Sequence, residues 1–123
     1  MPAFYQIDKE RRLVTTTAWG VLTTDSILAH QQQLMNDPNF DPDFFQLADF
    51  TQVTGVDIPT EDVRTIAEKN IFSSRSRRAL VTDNSEFFGL ARMFEILRDM
   101  EGEPGIRVFR NRDEALNWLF QSK

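Results

Sequence analysis

The sequence predicts an α/β fold with a mainly parallel five-stranded sheet, one antiparallel edge strand and about four helices, in the order ββαβαβαβα. Two observations lead to this fold class. Two strand-like runs near the N-terminus, at residues 4–7 and 13–19, flank a short charged turn, which is typical of a hairpin. After the hairpin, apolar strand-like runs alternate with segments of helical periodicity, which favours parallel strands joined by right-handed crossovers.

The segment at residues 44–71 is predicted to form the centre of the fold. We interpret it as a buried strand (44–50), a long polar loop (51–57) and a helix that starts near Pro59 and Thr60. A strand that leads into a helix N-terminus places polar side chains and free backbone N–H groups at one edge of a sheet. Ligands usually bind at that edge in open α/β folds.

The other elements follow from local patterns in chain order. Residues 23–26 begin the first helix with hydroxyl and carboxylate caps, and Pro38 ends it. The remaining predicted elements are a strand at 79–82, a helix at 86–100, a strand at 106–108 and a closing helix that starts at Asn111. The predicted core stripe of the third helix is Phe87, Leu90, Ala91, Phe94, Ile96 and Leu97, with Phe88 partly off it. We expect residues 1–123 to form a single domain.

Composition limits the classes of function. The chain has 123 residues, no cysteine and a net charge of −5, so it has no disulfide or cysteine-based metal site and a poor charge balance for binding nucleic acid. No apolar leader and no run long enough for a membrane span is found, so a cytoplasmic protein is expected. Five arginines stand among acids and are interpreted as part of a solvated face: Arg11, Arg12, Arg75, Arg77 and Arg78.

The sequence contains no recognisable catalytic motif, so we expect a protein that is not an enzyme and uses no cofactor. The single histidine, His30, lies in the first helix near its apolar stripe. One histidine without cysteine cannot form a recognisable metal site. We interpret His30 as a half-buried structural residue, with a proton carrier as the alternative.

Several polar residues stand where strands end or helices begin. Because the carboxyl ends of parallel strands share one edge, we take some of them as candidate binding residues of the rim loops. These are Asp49, Asp57, Thr60, Asp83 and Ser85. Acids also favour helix N-termini through capping and the helix dipole, which is the simpler interpretation. A divalent-cation site remains an alternative without supporting spacing.

The chain resembles the SpoIIAA-like family, relatives of the STAS domain of anti-sigma-factor antagonists and anion transporters. The resemblance covers essentially the whole chain. It lies in FYQIDKERRLVTTTAWGVLTTDSILAHQQQL, FFQLADFTQVTGVDI, and FFGLARMFEILRDM followed by IRVFRNRDEALNWL. The nearest likeness is to stand-alone bacterial members of unassigned function. The resemblance implies a STAS-like binding or regulatory module.

In the signalling antagonists of this family, a strand-end aspartate precedes a phosphorylated serine or threonine turn. Asp49 matches that aspartate, but the turn is replaced by residues 57–62, DIPTED. Thr60 lies near the expected place, beside Glu61 and Asp62, whose charges would repel a phosphate. We therefore expect no switch-type phosphorylation at Thr60.

Three functions follow as hypotheses. The first is a binding module that holds a protein partner or a small molecule at the carboxyl rim. The alternatives are an anti-sigma-factor antagonist without the usual phosphoacceptor and a protein that binds an apolar ligand such as a lipid, since 11 Phe could line a cavity. An exposed Phe88 beside Met93 or Trp19 would form a patch that favours a homodimer.

Overall fold

The computed structural model describes residues 3–100 and 105–121. Within these residues the chain forms five strands and four helices in the predicted order. The strands are β1 (Ala3–Asp8), β2 (Leu13–Thr23), β3 (Phe45–Asp57), β4 (Arg78–Val81) and β5 (Ile106–Phe109). The helices are α1 (Thr24–Met35), α2 (Thr60–Glu68), α3 (Ser85–Met100) and α4 (Arg112–Phe120).

The strands lie side by side in sequence order, β1-β2-β3-β4-β5. β1 is antiparallel to β2, whereas the other three pairs are parallel, so the predicted sheet with one antiparallel edge strand is confirmed. When the strand order always advances in one direction, right-handed crossovers place their helices on one face. α1 contacts α2 and α2 contacts α3 on that face, while α4 packs on β3, β4 and β5 from the other side. We call these the three-helix face and the α4 face.

The predicted loop at residues 51–57 is wrong, because β3 continues without a break to Asp57. β2 and β3 pair from Leu13 and Phe45 as far as Thr23 and Asp57, with register shifts on either side of Trp19 and Gly20. Gly20 has a φ of +71°, a conformation that suits glycine at such an irregularity. The polar residues Thr51, Gln52, Thr54 and Asp57 in the outer half of β3 are exposed, whereas Val53 is buried.

α1 is capped as its sequence predicts. The Thr23 hydroxyl accepts from the Ser26 backbone N–H, and the Ser26 hydroxyl accepts from the Thr23 N–H, which satisfies two groups at the helix start. This reciprocal cap fixes the start of α1, so His30 and Gln31 in its middle turn towards the sheet and are buried.

Each face has its own core. On the α4 face, a purely apolar cluster joins the sheet to α4: Leu13, Leu47, Ala79, Val81, Ala115 and Leu119. On the three-helix face, Phe87 and Ala91 of α3 are buried as predicted, but Ile96 is 49% exposed and is not a core residue. The predicted core side chains of Leu90, Phe94 and Leu97 lie outside the described side chains.

Candidate ligand-binding cavity

A cavity of about 100 Å³ lies between the three-helix face of the sheet and the helices. All three helices of that face and strands β1 to β4 contribute to its wall. The wall is mainly apolar, with Leu22, Ile27, Val63, Ile66 and Phe87 among its residues. Such a volume has room for several water molecules or for one ring-sized apolar group.

Small side chains on the sheet leave this space open. Alternate residues of a strand face opposite sides, so Thr16 and Ala18 of β2 point to the same face as Ala48 of β3. Thr16 and Ala48 are direct neighbours across the β2–β3 pair. With only methyl groups and one hydroxyethyl group at these positions, the sheet does not fill the distance to the helices.

Polar side chains form a continuous chain on this otherwise apolar face. Arg78 Nε donates to Gln46 Oε1 at 3.3 Å, and Gln46 Nε2 donates to Thr16 Oγ1 at 3.0 Å. Thr16 Oγ1 lies 3.1 Å from His30 Nε2. We call Arg78, Gln46, Thr16 and His30 the polar chain. All four residues are buried and line the cavity. Helix-covered parallel strands are normally almost continuously apolar, so these residues are unexpected there.

The interpretation of the five arginines as part of a solvated face is wrong for Arg78, because only 8% of this residue is exposed. It opens β4 and pairs directly with Gln46 across the sheet. Its Nη1 donates to Asn70 Oδ1 at 2.9 Å, and its guanidinium carbon lies 4.7 Å from the centre of the Phe72 ring. These contacts hold the guanidinium in one orientation at the end of the polar chain.

His30 is buried, rather than half-buried as predicted. Burial lowers its pKa from the ordinary value of 6.5, so the imidazole is neutral at pH 7. The Tyr5 ring packs edge-on against it at 5.6 Å. Among the described residues, His30 Nδ1 and Gln31 Oε1 have no hydrogen-bond partner, although both atoms are buried and both side chains line the cavity. Unsatisfied buried polar atoms are rare in folded proteins and call for an explanation.

The structure does not bring the five predicted rim residues together. Asp49 pairs across the sheet with Val81 at the end of β4, whereas Asp57 lies eight positions further along β3. At the usual rise of a strand this separates the two aspartates by roughly 26 Å. Asp49 Oδ1 accepts from the Thr51 N–H and hydroxyl, and its Oδ2 lies 3.4 Å from Arg112 Nη1.

The other three rim residues are exposed and stand at helix starts or beside them. Thr60 opens α2, Ser85 opens α3 and Asp83 follows β4. The cap of α3 is made by Asn84, whose Oδ1 accepts from the Phe87 N–H at 3.0 Å. A binding role for the rim residues stays a prediction.

The described residues show two further features that bear on function. Within residues 3–100 and 105–121, no group of three or more His, Asp or Glu side chains is arranged to hold a metal ion. In that same part of the chain, none of the helices has the length and apolar character needed to cross a membrane.

Phe88 is half-buried, with the Arg110 guanidinium carbon 4.0 Å from its ring centre, and the homodimer stays a prediction.

Sequence reasoning missed the polar chain, although one signal was present. Gln46 interrupts the apolar run FFQLA, and a polar residue inside a buried strand needs a polar partner. The partner could not be found from the sequence, since it depends on which residue of the β4 segment lies opposite Gln46. Arg78 was hidden in the basic run RSRR at residues 75–78, whose last residue opens β4.

Comparison with known proteins shows the fold. No family model and no curated protein matches the chain. Among solved structures, the chain is similar to an uncharacterized protein of the DUF3478 family with a SpoIIAA-like fold from Shewanella loihica PV-4. The identity is 18%, the match covers 95% of this chain and 93% of the other, and the TM-score is 0.58. The element order, the single antiparallel pair and this likeness agree: the chain has a SpoIIAA-like fold.

Proposed function

We propose that this protein binds a small, mainly apolar molecule in the cavity between the sheet and α1, α2 and α3. The observation that carries the proposal is the combination of an apolar wall with two buried polar atoms, His30 Nδ1 and Gln31 Oε1, that have no partner among the described residues. An apolar ligand would gain about 25 cal/mol for each Å² of surface that it removes from water. It would also supply the contacts that the wall residues lack on the side of the cavity.

The chemistry of the wall supports binding rather than catalysis. The polar chain consists of an amide, a hydroxyl, a neutral imidazole and a guanidinium. Within the polar chain, His30 is the titratable side chain whose ordinary pKa lies near neutral pH. Burial lowers that pKa, away from the range where a general base works best. Thr16 is a buried β-branched residue of β2, and its hydroxyl oxygen is within hydrogen-bonding distance of Gln46 and His30. These groups can orient a ligand without reacting with it.

The proposal is tested with toluene as the probe, by thermal unfolding and by backbone amide NMR shifts of the full chain. Binding to the folded state alone raises the free energy of unfolding, by about 2.7 kcal/mol when the ligand concentration is 100 times the dissociation constant. We expect toluene to raise the unfolding temperature and to shift amides of α1, β2 and β3. Native mass spectrometry of the purified protein then looks for a ligand acquired in the cell.

A matched pair of variants locates the site. Ala48→Leu fills the cavity from the sheet and should abolish the response to toluene, because Ala48 is buried in the wall. Ala29→Leu makes the same change at an exposed position of α1 and should respond like wild type. A wild-type protein that toluene neither stabilises nor shifts would refute the proposal, as would an Ala48→Leu variant that responds fully.

A further inference from the structure

The hydrogen bonds of the polar chain run in one direction from donor to acceptor, beginning at Arg78. A guanidinium can only donate hydrogen bonds, so the oxygen of the Gln46 amide must face Arg78 Nε. The Gln46 amide nitrogen therefore faces Thr16 and donates to its hydroxyl oxygen. The hydrogen bond from Arg78 therefore fixes the orientation of the Gln46 amide.

This direction favours one tautomer of His30. Thr16 Oγ1 accepts from Gln46 and has one proton of its own to donate. Among the residues that the structure describes, the side-chain partner left for that proton is His30 Nε2, at 3.1 Å. Nε2 is then an acceptor, and a neutral imidazole carries its proton on the other nitrogen, Nδ1. In this tautomer the cavity contains one buried donor, His30 Nδ1–H, and one buried acceptor, Gln31 Oε1, on consecutive residues of α1.

Resting on the proposed function, we infer that the ligand is an apolar alcohol or phenol, whose hydroxyl accepts a hydrogen bond from His30 Nδ1–H and donates one to Gln31 Oε1. A hydroxyl is the smallest group that both accepts and donates. A pure hydrocarbon leaves both protein atoms unsatisfied, which costs free energy for each of them. A carboxylate has no proton for Gln31 Oε1 and would leave that acceptor unsatisfied. The Arg78 guanidinium in the same wall already donates to Gln46 and Asn70.

The test compares three probes of similar size on the full chain: toluene, p-cresol and benzoate. Dissociation constants from calorimetry or NMR titration should place p-cresol about tenfold tighter than toluene, the gain expected from one or two net hydrogen bonds. Benzoate should bind more weakly than p-cresol. In Gln31→Met the preference for p-cresol should fall to about twofold or less, while toluene still binds. The exposed neighbour supplies the control, Gln32→Met, which should keep the preference.

The tautomer is measured directly and does not depend on a variant. Because the chain has one histidine, every imidazole ¹⁵N signal belongs to His30. We expect the Nδ1–H tautomer in the free protein and a change in the Nδ1 signal when p-cresol binds. The Nε2–H tautomer, equal affinity for toluene and p-cresol, tighter binding of benzoate, or an unchanged preference in Gln31→Met would each overturn the inference while leaving the binding of toluene intact. Failure of all three probes to bind would instead remove the proposed function and this inference with it.

Discussion

The two faces of the sheet are built from alternate residues of the same strands, yet their interiors differ. On β3, Leu47 packs into the apolar cluster under α4, whereas its neighbour Gln46 joins the polar chain under the three helices. On β4, Ala79 and Arg78 divide in the same way. The α4 face shows that this sheet can be covered by an apolar, well-packed core. The buried amide, guanidinium and imidazole of the other face are therefore not required by the architecture, and the proposed binding function would account for their presence.

The largest expected effect is in leucine truncations that compare the two faces. Leu47→Ala on the α4 face should lower the free energy of unfolding by about 3–5 kcal/mol, since this side chain is fully buried in a packed cluster. Leu34→Ala should cost less, about 2–3 kcal/mol, because one side of the buried Leu34 side chain already borders the cavity. Urea unfolding measures both changes. Equal losses would mean that the cavity does not loosen the packing of the three-helix face.

A break in the polar chain should come next in size. Gln46→Leu removes the acceptor of Arg78 Nε and the donor to Thr16, and should cost about 1–3 kcal/mol. Thr16→Val removes the next link, and the double variant should lose less than the sum of the two single losses, because the groups interact. A double-mutant cycle by urea unfolding gives the coupling energy. Strict additivity would show that the polar chain does not act as a unit.

The third prediction concerns pH. The folded-state pKa of His30 lies below the unfolded value of about 6.5, so the unfolded chain binds the proton more readily. The free energy of unfolding should therefore fall as pH drops from about 6.5 through the folded-state pKa of His30, and this contribution is fully present above 6.5. Unfolding curves between pH 7.5 and about pH 5 measure this step. His30→Phe should lack the step, and a step of the same size in that variant would assign it to other groups.

The smallest effect is expected at the edge of the α4 face, where Arg112 and Asp49 form an exposed ion pair at 3.4 Å. Arg112→Gln should change the free energy of unfolding by less than about 0.5 kcal/mol, and less still in high salt. Chemical unfolding at low and high salt checks this. A loss above about 1 kcal/mol would show that polar contacts matter on the α4 face as well.

The fold could be predicted from the sequence because its signals are local. The charged turn after Ile7, the cap at Thr23 and the break at Pro38 each mark a boundary within a few residues of chain. The outer half of β3 was taken for a loop because most of its residues are polar, and Thr51, Gln52, Thr54 and Asp57 are exposed in the strand as well. Composition alone cannot distinguish an uncovered strand from a loop, since both leave polar side chains in water.

The candidate site could not be predicted in the same way. Thr16, His30, Gln46 and Arg78 come from four different elements, and no local pattern links them. Which side of the sheet a residue faces changes with a shift of one position in register. The sequence drew attention to the acids at strand ends, whereas the unpaired buried side-chain atoms found among the described residues lie on α1.

The sequential order of the strands has a consequence for how the chain folds. Thr16 and Gln46 are 30 residues apart in the chain, and Gln46 and Arg78 are 32 apart. Each strand therefore pairs with the strand that precedes it in the chain, across one crossover of about 30 residues rather than a longer loop. β2, α1 and β3 can assemble as a ribosome-bound segment, and β4 then brings Arg78 to a Gln46 that is already in place. Until β4 arrives, β3 is an open edge, and that interval is when the nascent chain is most exposed to pairing with the wrong strand.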